Sequence, residues 1–303
     1  MPNLSLWVSF VLSSILVLAL MAVTAPPASA VVILDSTWEA NGGAKGAEAD
    51  GFGAHEALAM QPQFAAIFGL WDGSDYGGSG TWIGNDDAGH GYILTAAHNF
   101  DGGTKVDDWI YYSRDGGEYQ GLKVHIHPGY DESMQDQETS GYDMAIVVLD
   151  RPVTDAGEPP LLYGGRDELG RKIVITGYGS RGIGSSGEQD AYYNFETPGP
   201  AAATNVIDEV DGDMENNLIV DFDSEAGDAS VTGKSKPVDK MEGILGSGDS
   251  GGATWIETPD GWAIVGTNTW GDESVYGAVS GFSRVSTQLD WIASIYPDLY
   301  YVE

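Results

Sequence analysis

Three side chains that stand far apart in the sequence could together activate an alcohol for nucleophilic attack. Ser250 stands in the run GSGDSGGATW, His98 ends the run ILTAAH, and Asp143 precedes the apolar run MAIVVLD. A serine hydroxyl is a weak nucleophile until a base removes its proton and a third group orients that base. The sequence therefore predicts acyl-transfer chemistry, provided that the fold brings these three residues together.

The order of these residues along the chain separates two classes of hydrolase. GDSGG, residues 248–252, also matches the G-x-S-x-G turn of the α/β-hydrolases, which would indicate a lipase or an esterase. Those enzymes need their histidine after the serine. All five histidines precede Ser250: they are His55, His90, His98, His125 and His127. The α/β-hydrolase interpretation is therefore excluded.

The order His98, Asp143, Ser250 resembles that of the trypsin/chymotrypsin-like serine proteases. TAAH resembles the histidine motif of this family, YDMAIVVLDRPV its aspartate motif and GDSGG its serine motif. HPGY, VITGYG, NTWG and FSRVS also match, so that the resemblance covers about residues 64–297. The chain resembles a bacterial, secreted, cysteine-free member of the family. The resemblance implies an all-β fold of two six-stranded antiparallel β-barrels with a C-terminal helix, and an active site between the barrels.

The apolar runs of the chain agree with an all-β fold. FAAIFGLW, GTWIG, GYILTAAH, WIYYS, LKVHIH, MAIVVLD, RKIVITGYG, NLIVDF and WAIVGTNTW are short, rich in β-branched and aromatic residues, and separated by turn residues. Only VSTQLDWIASIY, residues 285–296, has apolar residues at helical spacing. We expect one protease domain over residues 59–303, with the junction of its two barrels near 160–172.

The resemblance assigns a task to each residue of the site. Ser250 would attack the scissile carbonyl, His98 would transfer the proton to the leaving amine, and Asp143 would hold the imidazole in place. The backbone N–H groups of Gly248 and Ser250 would form the oxyanion hole. The expected protein is a secreted serine endopeptidase that acts on proteins or peptides. A non-catalytic binding protein with the same fold and an esterase with the same triad are the alternatives.

The family also indicates where the substrate pocket lies. Ile244 falls at the position of the pocket base, and Thr269, Trp270 and Gly271 resemble the segment that walls the pocket and pairs with substrate. Either Ser280 or Gly281 would face it. An apolar base predicts a preference other than Arg or Lys.

The amino terminus resembles an export signal. Residues 4–23 are apolar apart from serines, and Ala28 and Ala30 form a small-x-small cleavage site before Val31. We predict a signal peptide over residues 1–30, a secreted or periplasmic protein, and a leader or pro-segment over 31–58. An uncleaved membrane anchor is the less favoured alternative. In the family, the acid at Asp249 pairs with a new N-terminal ammonium. Here either a variant terminus near residue 51 or an internal group would take that place.

Composition restricts the partners. Asp and Glu number 46 against 13 Lys and Arg, a formal net charge of -33, which disfavours nucleic acid and anionic membranes. Adaptation to a saline medium is one interpretation of this charge. Cysteine is absent, so neither disulfides nor thiol chemistry are available. We expect no cofactor and no metal site at His125 and His127. Calcium at the acidic runs 211–216 and 221–228 is a weaker hypothesis, and the oligomeric state has no signal in the sequence.

Overall fold

A computed structural model of the protein describes residues 31–74, 76–134, 137–192, 199–211, 215–232 and 236–303. The predicted signal peptide, residues 1–30, lies outside the described residues. The strands in chain order are β1 (Val32–Ile33), β2 (Ile67–Trp71), β3 (Tyr76–Asn85), β4 (Gly91–Thr95), β5 (Ile110–Ser113), β6 (Glu118–Ile126), β7 (Ala145–Leu149), β8 (Leu161–Tyr163), β9 (Lys172–Gly177), β10 (Gly182–Ile183), β11 (Gly187–Glu188), β12 (Ala201–Val206), β13 (Glu209–Asp211), β14 (Asn217–Asp221), β15 (Gly243–Ile244), β16 (Ala253–Thr258), β17 (Gly261–Gly271), β18 (Val279–Arg284) and β19 (Tyr301–Val302).

The first half of the chain forms a closed antiparallel barrel. Its strands follow the order β2-β3-β4-β7-β6-β5, and β5 returns to pair with β2. Residues of these strands, such as Ile67, Phe68, Leu94 and Ile146, are fully or almost fully buried in one apolar cluster. The predicted six-stranded barrel is thus confirmed for this half.

In the described part of the second half, backbone pairing forms a sheet that is not closed into a barrel. Within the described residues the order is β12-β9-β16-β17-β18-β14-β13. β8 also pairs in parallel with β17, and β19 pairs in parallel with β8. The prediction of a second closed six-stranded barrel is corrected in this respect. A side chain links β12 to β14, which are not neighbours in the sheet: the Asn205 amide donates hydrogen bonds to the carbonyls of Asp221 (2.9 Å) and Gly243 (2.9 Å).

Residues 31–34 belong to the fold and are not a detached leader. β1 pairs in parallel with β10 and antiparallel with β15, in a small sheet ordered β11-β10-β1-β15. Val31, Val32, Ile33 and Leu34 are all buried. The leader or pro-segment over 31–58 stays a prediction, although residues 31–34 of it fill part of the interior. A two-residue strand is too short to show a period in the sequence.

The helices are short. Helix α1 covers Asp35–Ala40, α2 covers Gly53–Ala59 and α3 covers Leu289–Ile295, and short 3₁₀ segments stand at Glu48–Phe52, Pro62–Phe64, His98–Gly103, Val106–Asp108, Gln137–Ser140, Asp190–Tyr192 and Val285–Thr287. The predicted C-terminal helix is present, although its first turn is the separate 3₁₀ segment. In the ranges that the structure describes, no helix has the length and apolarity to cross a membrane.

The chain passes from barrel to sheet over a short connection. β7 ends the barrel at Leu149, and β8 already pairs with β17 of the second half. The passage therefore occupies residues 150–160, slightly before the predicted junction at 160–172. The candidate site lies in a cleft between the barrel and the sheet.

Candidate active site

Two neighbouring strands of the barrel bring His98 and Asp143 together. β4 and β7 are antiparallel partners, with Thr95 opposite Ala145. His98 follows the end of β4 and Asp143 precedes the start of β7, so both stand at the same end of this strand pair. His98 Nδ1 lies 2.5 Å from Asp143 Oδ2, and the His98 backbone N–H donates to Asp143 Oδ1 at 2.9 Å. Two contacts from one carboxylate thus fix both the backbone and the ring of the histidine.

The surroundings of His98 raise the pKa of its imidazole above 6.5. Burial acts in the opposite direction, since it disfavours the charged ring, but the hydrogen bond to Asp143 and the charge of this buried carboxylate outweigh it. Glu138 and Asp101 add to the negative field. The imidazolium that forms when His98 accepts a proton is therefore stabilised.

Ser250 lies on a loop between β15 and β16 that the first barrel holds in place. The Ser250 carbonyl accepts hydrogen bonds from the Ser79 backbone N–H (2.8 Å) and from Asn99 Nδ2 (3.1 Å). The Ser79 hydroxyl donates to the carbonyl of Gly248 at 2.9 Å. Ser79 belongs to β3, so a barrel strand positions the loop of the other half.

The same loop directs two backbone N–H groups away from the protein interior. The carbonyl of Ser247 accepts from the Ser180 N–H (2.5 Å), and the carbonyl of Asp249 accepts from the Gly252 N–H (2.9 Å). Because a trans peptide directs its N–H opposite to its carbonyl, the N–H groups of Gly248 and Ser250 face the other way. Neither N–H donates to any group among the described residues. Gly248 has φ +91°, a conformation that suits glycine.

Asp249 is fully buried beside the start of the described chain. Its carboxylate accepts hydrogen bonds from the N–H groups of Gly179 (2.9 Å), Gly246 (2.8 Å) and Val31 (3.2 Å). Burial raises the pKa of Asp249 to about 7, although these donors oppose the rise. The variant terminus near residue 51 is not its partner, because residue 31 occupies that place.

His98 and Ser250 line one pocket between the two halves, with a volume of about 260 Å³. Its other lining residues are Glu138, Glu188, Leu245, Gly246, Ser247, Thr269, Trp270, Gly271, Asp272, Glu273 and Ser274. The predicted pocket residues Thr269, Trp270 and Gly271 are among them.

Ile244 is not a lining residue of this pocket, contrary to the sequence prediction. Its side chain is buried in an apolar cluster with Val32, Leu34, Phe222 and Ala278. Neighbouring residues of an extended chain point in opposite directions, so Leu245 faces the pocket where Ile244 was expected.

The histidine pair and the acidic runs that were considered as metal ligands form no metal-binding group among the described residues. His127 stacks on Tyr142, contacts Trp291 edge-on and accepts a hydrogen bond from the Gly129 N–H through Nδ1. Over the described ranges there is no group of three or more His, Asp or Glu residues that could hold a metal ion. In the acidic run 221–228, one oxygen of Asp221 accepts from the Val231 and Thr232 N–H groups. The run 211–216 lies partly outside the described residues.

Sequence reasoning missed three residues that shape the site. Ser79 has no motif around it, and its contacts with the serine loop depend on the packing of one half against the other. Asn268 stands in the matched run NTWG; its amide donates to the carbonyls of Thr176 (3.0 Å) and Asp249 (3.1 Å). Glu188 stands in none of the sequence runs that carry the family resemblance or the strand pattern.

Comparison with known proteins agrees with this geometry. The family model described as Trypsin matches residues 79–292, more than half of the chain. Among solved structures, the fold is similar to neuropsin, a serine protease expressed in the limbic system of mouse brain. The TM-score is 0.55 at 18% identity, and the match covers 78% of this chain and 96% of that chain. This similarity confirms the predicted fold class. No curated protein matches the chain.

Proposed function

We propose a catalytic role for three residues of this chain, which belongs to the trypsin family and is therefore a serine endopeptidase. Ser250 is the nucleophile that attacks the peptide bond, His98 is the base, and Asp143 orients the base. The observation that carries the proposal is the pair of contacts between Asp143 and His98 beside a pocket that Ser250 also lines. Proteins or peptides are the substrates.

Proton transfer follows from the contacts of His98. With Nδ1 bound to the carboxylate of Asp143, Nε2 is the nitrogen left to accept the proton of Ser250. As the hydroxyl oxygen bonds to the scissile carbonyl carbon, the proton moves to Nε2, and Asp143 stabilises the resulting imidazolium. Nε2 then gives the proton to the leaving amine, and the acyl-enzyme remains. Water, activated by the same nitrogen, releases the acyl group and restores Ser250.

The N–H groups of Gly248 and Ser250 are proposed to bind the oxyanion of the tetrahedral intermediate. The support is that neither N–H donates to a described residue and that the carbonyls of the same two peptide groups are anchored. Donors fixed in advance need no reorganisation when negative charge develops on the substrate oxygen. Each such donor contributes roughly 3 to 4 kcal/mol to transition-state stabilisation in comparable sites.

The protein is further proposed to be exported, with residues 1–30 removed and Val31 as the mature N-terminus. The support is the position of Val31, which follows the Ala-x-Ala site directly and whose nitrogen lies 3.2 Å from Asp249 Oδ2. An ammonium at this nitrogen would give the buried carboxylate a counter-charge and lower its pKa again. One cut would then complete both export and assembly of the site. An uncleaved anchor would leave a neutral amide there.

Labelling with a serine-directed phosphonate tests the catalytic proposal. We expect the purified chain starting at Val31 to be labelled at Ser250 and to cut a protein substrate. We expect no labelling of the Ser250→Ala or His98→Ala variants. A labelled His98→Ala variant would contradict the proposed base, and an unlabelled parent would favour a non-catalytic binding protein. Labelling together with hydrolysis of esters but not of peptides would favour the esterase alternative.

A further inference from the structure

One carboxylate at the edge of the active-site pocket is held in a fixed position. Glu188, the last residue of β11, uses a single oxygen, Oε1, to accept hydrogen bonds from the Ser247 N–H (3.1 Å), the Ser247 hydroxyl (3.3 Å) and the Ser274 hydroxyl (2.5 Å). Ser247 stands three residues before Ser250, and Ser274 three residues after Gly271. Glu188 therefore joins the two walls of the pocket.

The second oxygen of this carboxylate is available to a ligand. Oε2 of Glu188 makes neither a hydrogen bond nor an ion pair with the residues that the structure describes. The side chain is only half-buried and lines the pocket together with Ser250. A carboxylate with one anchored and one free oxygen loses little side-chain entropy when it binds a cation.

The remaining lining of the pocket combines an apolar part with further negative charge. Leu245 and Trp270 supply apolar surface, and Gly271 leaves the wall without a side chain. Asp272 and Glu273 add carboxylates, whereas the described part of the chain contributes neither Lys nor Arg to the lining. The matching substrate side chain has an aliphatic stem and a cationic end, as in Lys and Arg.

We propose that Glu188 determines specificity and that the enzyme prefers peptide bonds that follow Lys or Arg. This inference relies on the proposed role of Ser250, since the pocket beside the nucleophile must receive the residue before the scissile bond. It replaces the prediction of a preference other than Arg or Lys, whose basis was Ile244 at the pocket base. The net charge of -33 acts in the same direction, because it attracts cationic peptides over longer distances.

The test compares peptide amides that differ only in the residue before the scissile bond, which is Lys, Arg, Leu or Glu. For the chain starting at Val31 we expect kcat/KM to be at least about tenfold higher for Lys and Arg than for Leu, and lowest for Glu, as expected for one charge-assisted hydrogen bond. Equal or faster cleavage after Leu or Glu would overturn the proposal.

The Glu188→Gln variant separates specificity from a merely structural role. Its amide oxygen can still accept from Ser247 and Ser274, but its charge is gone. We expect kcat/KM for Lys and Arg substrates to fall about tenfold to hundredfold more than kcat/KM for Leu substrates, so that the ratio of Lys to Leu cleavage drops by that factor. An equal fall for all substrates would mean that Glu188 only braces the pocket walls, and no fall would also refute the proposal.

A matched control measures the effect of net charge alone. Glu257 is exposed on β16 and does not line the pocket, so Glu257→Gln removes the same charge elsewhere. We expect this variant to keep the parent ratio of Lys to Leu cleavage. If the ratio falls as much as in Glu188→Gln, long-range charge and not Glu188 carries the preference. Absence of phosphonate labelling together with absence of any cleavage would instead refute the proposed triad.

Discussion

The nitrogen of Val31 offers a sharp test of how the mature enzyme is formed. The perturbation is the addition of two residues, Gly-Ser, before Val31, which replaces the proposed ammonium by a neutral amide. Val31 is buried and lies against the Asp249 carboxylate. The two added residues would therefore also have to pass from a buried position to the surface. We expect the extended chain to lose most of its activity.

The magnitude follows from the pKa of Asp249. Without a cation, burial raises this pKa from 3.8 to about 7. This rise means that ionising the Asp249 carboxyl group costs about 4 kcal/mol more in the folded protein than in water. Its ionisation constant is therefore roughly a thousandfold smaller. The carboxylate also accepts from Gly246 and Gly179, which hold the loop of Ser250. We therefore expect kcat/KM to fall about 10²- to 10³-fold at pH 8.

The sign of the pH dependence gives a second readout. A carboxyl group whose pKa is raised by folding is stabilising when protonated, so the extended chain should lose stability as the pH rises from about 4 to about 7. The stability difference from the mature chain should be about 4 kcal/mol at pH 8 and smaller, about 2 kcal/mol, at pH 5. Chemical denaturation of both chains at the two pH values measures it.

The assay titrates active sites with the phosphonate and measures kcat/KM for chains of both lengths, after mass spectrometry has verified their N-termini. Asp249→Asn in both lengths is the control. In chains that carry Asp249→Asn, the extension should lower kcat/KM little further, because the substitution and the extension remove the same interaction. Equal titre and equal kcat/KM for intact mature and extended chains would refute the proposed ammonium.

Further predictions concern the base and the serine loop. Asp143→Asn should lower kcat/KM about 10³- to 10⁴-fold, with substrate binding little changed, because the ring of His98 loses its orientation; a loss below tenfold would contradict that role. In the parent, kcat/KM should fall on the acid side through a pKa above 6.5, since His98 must be neutral to accept a proton; an acid limb below 6 would contradict this. Gly251→Ala should destabilise the protein by about 1–3 kcal/mol more than Gly73→Ala in urea denaturation. Both glycines have positive φ, but only at 251 would the Cβ lie 2.1 Å from Thr95 Oγ1, and equal effects would refute the close-approach argument.

The fold could be predicted to the extent that its strands are long and apolar. β4 and β7 each have four buried residues out of five, and their antiparallel pairing explains why TAAH and YDMAIVVLD carry the two residues that meet. β1, β10, β11 and β15 have two residues each, too few for any period to appear. The role of residues 31–34 was missed for that reason.

The pocket could not be predicted because it depends on side-chain direction and on distant contacts. Counting back from Ser250 gives Ile244, but the direction of a side chain is reversed by one step along an extended chain, and Leu245 faces the pocket. Glu188 reaches the pocket only because β11 pairs with β10 beside β1. Motifs describe neighbours in sequence, whereas these contacts arise from tertiary packing.

The contacts of Ser79 have a consequence for how the enzyme could be divided or rebuilt. This one residue of the barrel donates to the carbonyls of Gly248 and Ser250 and accepts from the Tyr178 N–H (2.8 Å). A fragment that contains the sheet alone would carry the nucleophile but lack the partner that shapes its loop. Fragment complementation should therefore restore turnover only when the barrel fragment keeps Ser79, and grafting this sheet onto a foreign barrel would require the same hydroxyl at the same place.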